Sequence, residues 1–277
     1  SFLYHHFLNN CTIRVRDIID REMGGRLKSY FENRPADGIT FRSSSMDLMF
    51  SNPILWYGTN LIMGPAVDRP VSEWELMYLP LEFMRLMDEY RLAHPTDAST
   101  QQSSSVYVGP IETYLEYQHP PEEDGTVFNW VGMFLFEAIV IGVLFIWPAL
   151  APASPRARTA FRIGWLSWNL GAGFIGALLL VLWLGTNHDS MDNNLNILAY
   201  TPFHLFLPLI VWRVRKSFQN APRVIVQLHA VLMFIPVVGL ILSWLVPQYS
   251  WPFFLHAILI QFCIWLRLYR RYQHNDN

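Results

Sequence analysis

Cys11 is the side chain of this sequence best suited to act as a nucleophile. The segment NNCTIRVRDIID, residues 9–20, places it after two asparagines and before a run with helical spacing. Asparagine is a favourable N-cap, so Asn10, or Asn9, is predicted to begin a helix. Cys11 would then lie in the first turn, where unpaired backbone N–H groups and the positive end of the helix dipole stabilise a thiolate.

The predicted helix has an apolar face formed by isoleucines 13, 18 and 19, and it is predicted to end at Gly24-Gly25. Charged residues follow the cysteine on the other face. We take Asn10 and three of these charged residues, Arg14, Arg16 and Asp17, as supporting residues for Cys11. The alternative for the three charged residues is that they form a solvated helix face.

Composition argues against an ordinary soluble domain. Of the 277 residues, 52% are hydrophobic and 15% are aromatic, which is too apolar for a soluble globular protein. Residues 1–126 carry 18 of the 22 acidic residues, whereas the remainder consists of apolar runs joined by short polar segments. The sequence therefore predicts a soluble domain followed by a membrane domain.

Five apolar runs are long enough to cross about 30 Å of hydrocarbon. Tryptophans lie near the ends of most of them, which is typical of rings at the lipid headgroup level. The fold class predicted is an α-helical polytopic membrane protein with five transmembrane helices in a domain at 127–271. The predicted spans are 127–150, 161–185, 195–212, 224–246 and 251–268.

Basic residues are confined to alternate joints of this domain. The joints after the first and third spans and the end of the fifth carry ten Lys and Arg, whereas TNHDSMDNN and PQYS carry none. By the positive-inside rule the basic joints and the C-terminus face the cytoplasm. Residues 1–126 are then extracytoplasmic, and the protein is a multi-pass protein of the plasma (inner) membrane. The chain begins at Ser1, so we expect an export segment upstream.

The predicted location leaves three roles open for Cys11. It is the only cysteine of the soluble part, and Cys263 lies inside the fifth span, so the two cannot pair. A single exported cysteine is a buried small residue, a site of intermolecular pairing or a reactive thiol.

Residues 72–91 are predicted to form one amphipathic helix. Ser72 is a suitable N-cap, and Glu75 three residues later completes a capping box. Its apolar face is predicted to pack in the core, and the alternative is contact with the bilayer surface.

Two segments resemble a known family. NNCTIRVRDIID resembles the Asn-Cys segment of the Lnb-type lipoprotein N-acyltransferases, and residues 51–92 resemble that family's Asn-Pro-Trp, Gly, Gly, Asp-Arg-Pro and Phe/Tyr-Leu-Pro sequence. A looser resemblance lies in NNLNILAYTPFHLFLP, residues 193–208. The matching positions of the second segment are Asn52, Pro53, Trp56, Gly58, Gly64, Asp68, Arg69, Pro70, Tyr78, Leu79 and Pro80.

The resemblance implies an extracytoplasmic α+β thiol domain with a permuted papain-like fold, related to LRAT-type acyltransferases. Residues 1–100 would form its C-terminal half, and 101–126 would be a linker. The implied activity is thiol acyl transfer. Cys11 would take an acyl chain from the diacylglyceryl group of a lipoprotein and pass it to the amine of the lipoprotein's N-terminal cysteine.

The same resemblance places the base histidine on a strand before the cysteine. Only ten residues precede Cys11, so we expect that strand to lie upstream of Ser1, or the protein to have lost its catalytic half. His5 and His6 lack the family motif around the base. They are predicted to make polar contacts beside the helix entry.

Two ionisable residues are predicted to reach similar depth in the membrane. Glu137 lies about ten residues into the first span, and His204 about ten residues into the third from the same side. Such groups usually face protein or water and pair. Glu137 and His204 are therefore predicted to form a structural pair, the alternative being a polar pocket for a lipid headgroup or a peptide amine.

The sequence shows no metal-ligand spacing, phosphate-binding glycine loop or nucleic-acid signature, so we expect neither a metal nor a cofactor and no nucleic-acid partner. The expected partners are membrane lipid, a lipoprotein substrate and other membrane subunits. Two alternatives to the acyltransferase remain. One is a non-catalytic accessory subunit of a larger membrane complex, and the other is a thiol hydrolase that releases the acyl group to water.

Overall fold

The computed structural model describes residues 4–94, 125–151, 153–213 and 223–276. The chain forms two compact units. The first comprises Ser1–Asp47 and Arg69–Glu122, and the second comprises Leu48–Asp68 and Glu123–Asn277. The predicted linker, 101–126, lies outside the described residues except for its last two positions. The predicted domain boundaries therefore stay a prediction.

Short helices dominate the first unit. Helix α1 begins at Cys11, directly after the N-cap Asn10, and two glycines with positive φ, Gly24 and Gly25, follow its end, as the sequence predicts. Positive φ is easily reached only by glycine, so this pair allows the sharp turn into α2. The helices of this unit are α1 (Cys11–Glu22), α2 (Arg26–Phe31), α3 (Phe41–Leu48), α5 (Glu73–Leu76) and α6 (Pro80–Ala93); α4 (Pro53–Ile62) belongs to the second unit.

Two antiparallel strands connect the helices of the first unit. Strand β1 (Pro35–Thr40) pairs with β2 (Pro70–Ser72), and the register shifts between Pro35 and Thr40. Asp37 and Gly38 lie in that interval with φ of 42° and 78°, which is typical of a bulge. The bulge accommodates six residues of β1 against three of β2.

The core of the first unit joins both ends of its sequence. Leu27 and Phe31 of α2 are fully buried against Met77 and Leu86, and Tyr90 of α6 lies in the same cluster. Each such apolar side chain contributes roughly 1.5–3 kcal/mol by leaving water. Leu86, Met87 and Tyr90 of α6 therefore pack in a protein core, whereas Leu81 and Met84 are exposed.

The predicted single helix over 72–91 is interrupted. The capping box of Ser72 and Glu75 is present, but α5 ends at Leu76, and α6 begins at Pro80. Leu79 has ψ of 128°, because the residue before a proline is driven out of the helical region. The apolar periodicity continues across the break, so the sequence pattern alone did not predict that the helix is interrupted.

The second unit contains the apolar helices. Within the described residues, four helices are long and apolar enough to cross a membrane: Trp130–Leu150, Pro155–Gly185, Arg223–Leu242 and Trp251–Gln273. They correspond to four of the five predicted spans. These long helices and the shorter α10 are labelled in chain order. The elements are α7 (Gly125–Ile141), a π-helical turn (Gly142–Ile146), α8 (Trp147–Leu150), α9 (Pro155–Gly185), α10 (Phe206–Arg213), α11 (Arg223–Leu242) and α12 (Trp251–Asp276).

The third predicted span is shorter than the others. Leu195–Ile210 is an apolar helical segment of 16 residues, and it begins with two 3₁₀ turns, Leu195–Leu198 and Pro202–Leu205, before α10. A 3₁₀ turn has poorer hydrogen-bond geometry than α-helix, so such turns stay short. The apolar composition of the segment indicates membrane burial, but its backbone is not one continuous helix.

Two glycines bring backbone segments of this unit into direct contact. A Cβ atom on Gly176 would lie 1.8 Å from the carbonyl oxygen of Tyr200, and one on Gly64 would lie 2.1 Å from that of Asp192. No side chain fits at such distances. Gly176 therefore lets α9 approach the 3₁₀ segment, and Gly64 seats the residues after α4 on the turn at 190–192.

The capping box of α5 should be sensitive to pH. Arg69 donates two hydrogen bonds to the Glu75 carboxylate, at 3.0 and 2.5 Å. These bonds, aided by the Ser72 backbone N–H, hold the pKa of Glu75 below its ordinary value. Because the folded pKa is the lower one, this stabilisation is complete above the unfolded pKa and is lost as the pH falls through the folded value.

We expect Glu75→Gln to lower the free energy of unfolding by about 1 kcal/mol at pH 7 and by progressively less below pH about 4. Thermal unfolding of the purified chain between pH 3 and 7 measures this difference. Glu82→Gln, which removes an exposed pair with Arg85 on α6, is the control and should cost less than about 0.5 kcal/mol. A loss at Glu75 that does not change with pH would contradict the prediction.

Candidate functional site

Cys11 is the first residue of α1, and its side chain is exposed. The first N–H groups of a helix have no partner within it, so the thiol lies where the backbone is most able to stabilise negative charge. Of the three roles open from the sequence, burial as a small core residue does not fit an exposed side chain.

Asn10 fixes the start of this helix with all the polar atoms of its amide. Its Oδ1 accepts the hydrogen bond of the Ile13 N–H at 2.9 Å, which makes it the N-cap, as predicted. Its Nδ2 donates to the backbone oxygens of Tyr78 at 3.0 Å and His6 at 3.1 Å. Asn10 is only 7% exposed, so these bonds are made largely out of water.

Tyr78 connects this cap to the rest of the first unit. Its hydroxyl lies 2.9 Å from the Ser44 hydroxyl and 3.1 Å from that of Ser45, both on α3. Its ring packs edge-on against Phe7 and Phe41 with centroids 5.4 Å apart in both cases. Tyr78 is one of the positions of the resemblance, and it holds the residues before the cysteine onto α3 and the turn after α5.

The predicted supporting residues do not share one environment. Arg16 is buried: it donates to Asp17 Oδ1 at 2.7 and 2.9 Å and to the backbone oxygen of Trp74 at 2.7 Å, and it stacks on the Trp74 ring. Arg14 and Asp17 are exposed. The solvated-face interpretation therefore fails for Arg16.

The apolar face predicted for α1 is also wrong in part. Ile13 is buried and Ile19 packs against the core, as predicted, but Ile18 is 52% exposed, and Arg16 and Met23 are also buried. An arginine can occupy such a face because its planar group stacks on an aromatic ring while its N–H groups bond a carbonyl. Spacing rules that treat arginine as solvated miss this arrangement.

His5 and His6 form the turn that leads into α1. The Nδ1 atom of His5 accepts the N–H groups of Phe7 at 3.2 Å and Leu8 at 3.1 Å, and the His6 ring packs edge-on against Phe7. Desolvation, with the neighbouring His5, lowers the pKa of His6. In the described part of the chain, none of these contacts is with Cys11, which agrees with the predicted role beside the helix entry.

The Asn-Pro-Trp segment of the resemblance belongs to the second unit, where it forms α4. The carbonyl of Leu61 at the end of this helix accepts from both Asn194 and Asn196 at 2.9 Å, and that of Met63 accepts from Gln248 at 3.2 Å. The looser resemblance at 193–208 thus supplies the two amides that bind the Leu61 carbonyl near the end of α4, and Gln248 supplies the third amide.

The sequence predicted that Glu137 pairs with His204, but in the structure it pairs with His256. Oε1 of Glu137 lies 2.9 Å from Nδ1 of His256 on α12. Equal depth in two helices says nothing about which faces meet, and α7 turns its carboxylate toward α12. The pair is partly exposed, with 29% of the Glu137 side chain and 21% of the His256 side chain accessible.

His204 instead belongs to a buried ring of hydrogen bonds between four segments. Trp165 donates its indole N–H to His229 Nε2 at 2.9 Å, and His229 Nδ1 lies 3.3 Å from Gln261 Oε1. Gln261 Nε2 lies 3.1 Å from His204 Nε2, and His204 Nδ1 lies 2.9 Å from Asn169 Oδ1. Asn169 closes the ring by donating to the Trp165 carbonyl at 2.7 Å.

The direction of this ring is fixed by chemistry. An indole N–H can only donate, so Nε2 of His229 must accept and its proton must be on Nδ1. The same logic passes through Gln261 and gives His204 a proton on Nδ1, directed at Asn169. Every side chain of the ring is at most 3% exposed, and both imidazoles fit it only in the neutral form.

Most members of these two membrane clusters could not be predicted from the sequence. His229 and His256 were visible only as isolated histidines, and Asn169 and Gln261 as amides within apolar runs. The available signal was that a polar side chain inside a span usually faces protein. Among the described residues, no group of three or more His, Cys, Asp or Glu is placed to hold a metal ion.

Apolar helices of membrane-spanning length, tied by buried polar contacts, define a polytopic α-helical membrane protein. The family model of the Lnb transmembrane domain matches residues 130–275, more than half of the chain. The chain therefore belongs to the Lnb family, as the sequence resemblance indicated. No match is found among curated proteins or among solved structures.

The donor role of the Asn10 amide can be separated from its capping role. Aspartate caps helices as well as asparagine does, but in Asn10→Asp a carboxylate would face two carbonyls in place of an amide. We expect this change to lower the free energy of unfolding by about 2 kcal/mol. Asn52→Asp is the matched control, because Asn52 caps α4 from an exposed position, and it should be neutral or slightly stabilising. Thermal unfolding of both variants measures the difference, and equal effects would disprove the donor role.

The Glu137–His256 contact should appear as energetic coupling. Glu137→Gln and His256→Gln, made singly and together, are expected to give a coupling free energy of about 1 kcal/mol in thermal unfolding of the purified chain. The same cycle with His204→Gln is the control and should be additive within about 0.5 kcal/mol. Stronger coupling of Glu137 to His204 than to His256 would restore the pair predicted from depth.

Proposed function

We propose that this protein transfers an acyl chain from the diacylglyceryl group of a lipoprotein to the amine of its N-terminal cysteine, through a thioester on Cys11. The observation that carries the proposal is the exposed Cys11 at the first position of α1, in a chain that belongs to the Lnb family.

Two acyl-transfer steps make up the proposed reaction. The Cys11 thiolate attacks an ester carbonyl of the diacylglyceryl group, the glycerol oxygen leaves with a proton, and a thioester forms. The lipoprotein amine then attacks the thioester, which gives an amide and restores the thiol. Thiolates are strong nucleophiles near neutral pH, and thioesters stay reactive toward amines.

The first step requires a group that takes the thiol proton. The contacts of His5 are with the backbone of its own turn, and those of the His6 ring are with Phe7 and Tyr78. Neither histidine is oriented toward a thiol by these contacts. We therefore assign the base to a different histidine, on the strand that the family resemblance places before the cysteine.

A membrane unit suits such a substrate, because lipid chains leave a bilayer only at a cost of about 0.8 kcal/mol per methylene group. We further propose that the arginine-rich joints face the cytoplasm and that Cys11 acts on the opposite side of the plasma (inner) membrane. The partly exposed Glu137 and His256 offer a polar contact for a lipid headgroup or a peptide amine within the membrane unit.

The decisive experiment is intact-mass analysis of the protein, expressed from its full reading frame, after incubation with a diacylglyceryl lipopeptide. We expect one added acyl chain that hydroxylamine removes, and Cys11→Ser should abolish both this adduct and the acylated product. A serine hydroxyl is much harder to deprotonate than a thiol, so we expect Cys11→Ser to lower the rate of acyl transfer at least about 1000-fold.

Controls separate the alternatives. Cys263→Ser, which changes a buried cysteine of α12, should leave the adduct in place. An adduct that forms but releases free fatty acid when the lipopeptide amine is present would indicate a thiol hydrolase. A folded protein with no adduct on Cys11 would disprove the acyltransferase and leave the accessory subunit of a larger membrane complex.

A further inference from the structure

Four arginines gather at one end of the second unit. Arg158 and Arg162 lie one turn apart near the start of α9, and Arg267 and Arg271 lie one turn apart near the end of α12. The guanidinium of Arg267 lies 5.6 Å from the ring centroid of Phe161, the residue before Arg162, so the end of α12 packs against the start of α9. Arg267 is buried, Arg271 is half-buried, and the two on α9 are exposed. The cluster therefore extends from the interior to the surface.

Arg267 is the most constrained member. It is 1% exposed, and it donates through Nη1 to the Pro148 carbonyl, while its neighbour Arg270 donates to the Ala149 carbonyl at 2.7 Å. These bonds satisfy carbonyls of α8. Nε and Nη2 of Arg267 remain without an acceptor in the described part of the chain. Buried guanidinium donors normally find acceptors, because an unmet donor loses its hydration without gaining a hydrogen bond.

Carboxylates are scarce in the sequence around this charge. No Asp or Glu occurs between Glu137 and Asp189, or between Asp192 and Asp276. Arg158 also lies in the first turn of α9, where the helix dipole disfavours a cation. A bound anion would offset both the mutual repulsion and the dipole.

We propose that Arg158, Arg162, Arg267 and Arg271 form a binding site for a phosphate group. Phosphate presents several acceptor oxygens to guanidinium groups, which bind it through paired hydrogen bonds. Basic pockets between membrane helices commonly hold the headgroups of anionic lipids. The phosphate could belong to an anionic phospholipid or be free in solution, and the experiment distinguishes these sources. The site is separate from Cys11 and does not depend on the acyltransferase proposal.

The test uses the full chain purified in detergent, with three probes at matched concentration: phosphatidylglycerol, diacylglycerol with the same acyl chains, and inorganic phosphate. Native mass spectrometry counts the retained lipid, and thermal unfolding reports stabilisation. We expect phosphatidylglycerol to be retained and to raise the Tm, and diacylglycerol to do neither. A rise in Tm with inorganic phosphate alone would identify the free anion as the ligand of the same site.

Variants at the exposed edge of the cluster avoid the folding risk of changing Arg267. Arg158→Gln and Arg162→Gln should each weaken phosphatidylglycerol binding about fivefold. Arg156→Gln removes the same charge from an exposed position of the same turn and should change it less than about twofold. Equal loss in all three variants would show general attraction to basic residues and overturn the site, as would equal retention of phosphatidylglycerol and diacylglycerol.

Discussion

The indole N–H of Trp165 can donate a hydrogen bond but never accept one, and this asymmetry orders the interior of the membrane unit. It fixes the tautomer of His229, the orientation of the Gln261 amide and the proton position on His204. The four side-chain to side-chain bonds of the ring join different pairs of segments from α9, α11, α12 and the 3₁₀ turns before α10. In surroundings without water an unmet polar group costs about 1–3 kcal/mol, so a different packing of these helices would break several bonds together.

The first unit applies the same rule around a single amide. Asn10 is the cap of α1, and its amide N–H groups also secure the carbonyls of His6 and Tyr78. The first turn of α1 is thereby attached to a residue 68 positions later in the chain. Tyr78 passes this attachment to α3 through its hydroxyl. The exposure of Cys11 thus depends on buried neighbours that hold the helix start in place.

The structural features that depend on residues close together in the chain could be predicted from the sequence. The N-cap of α1, the glycines after it, the capping box of Ser72 and the long apolar helices could all be read from types and spacing. The partners of Glu137 and His204 could not, because depth along a helix does not specify its rotation. The burial of Arg16 could not be predicted for a related reason, because it requires the ring and the carbonyl of Trp74, 58 positions away.

The family signature has a division that its sequence does not indicate. Its second segment, 51–92, contributes α4 to the second unit and enters the first unit at Arg69, so Gly64 and Tyr78 stabilise different units. The amides of Asn194 and Asn196 hold the end of α4, whereas Asn10 holds the turn before α6. The chain enters the second unit after Asp47 and returns to the first at Arg69, so each unit stabilises its own part of the resemblance. The signature therefore encodes the connection between a cysteine-bearing unit and a membrane unit as well as residues around the thiol.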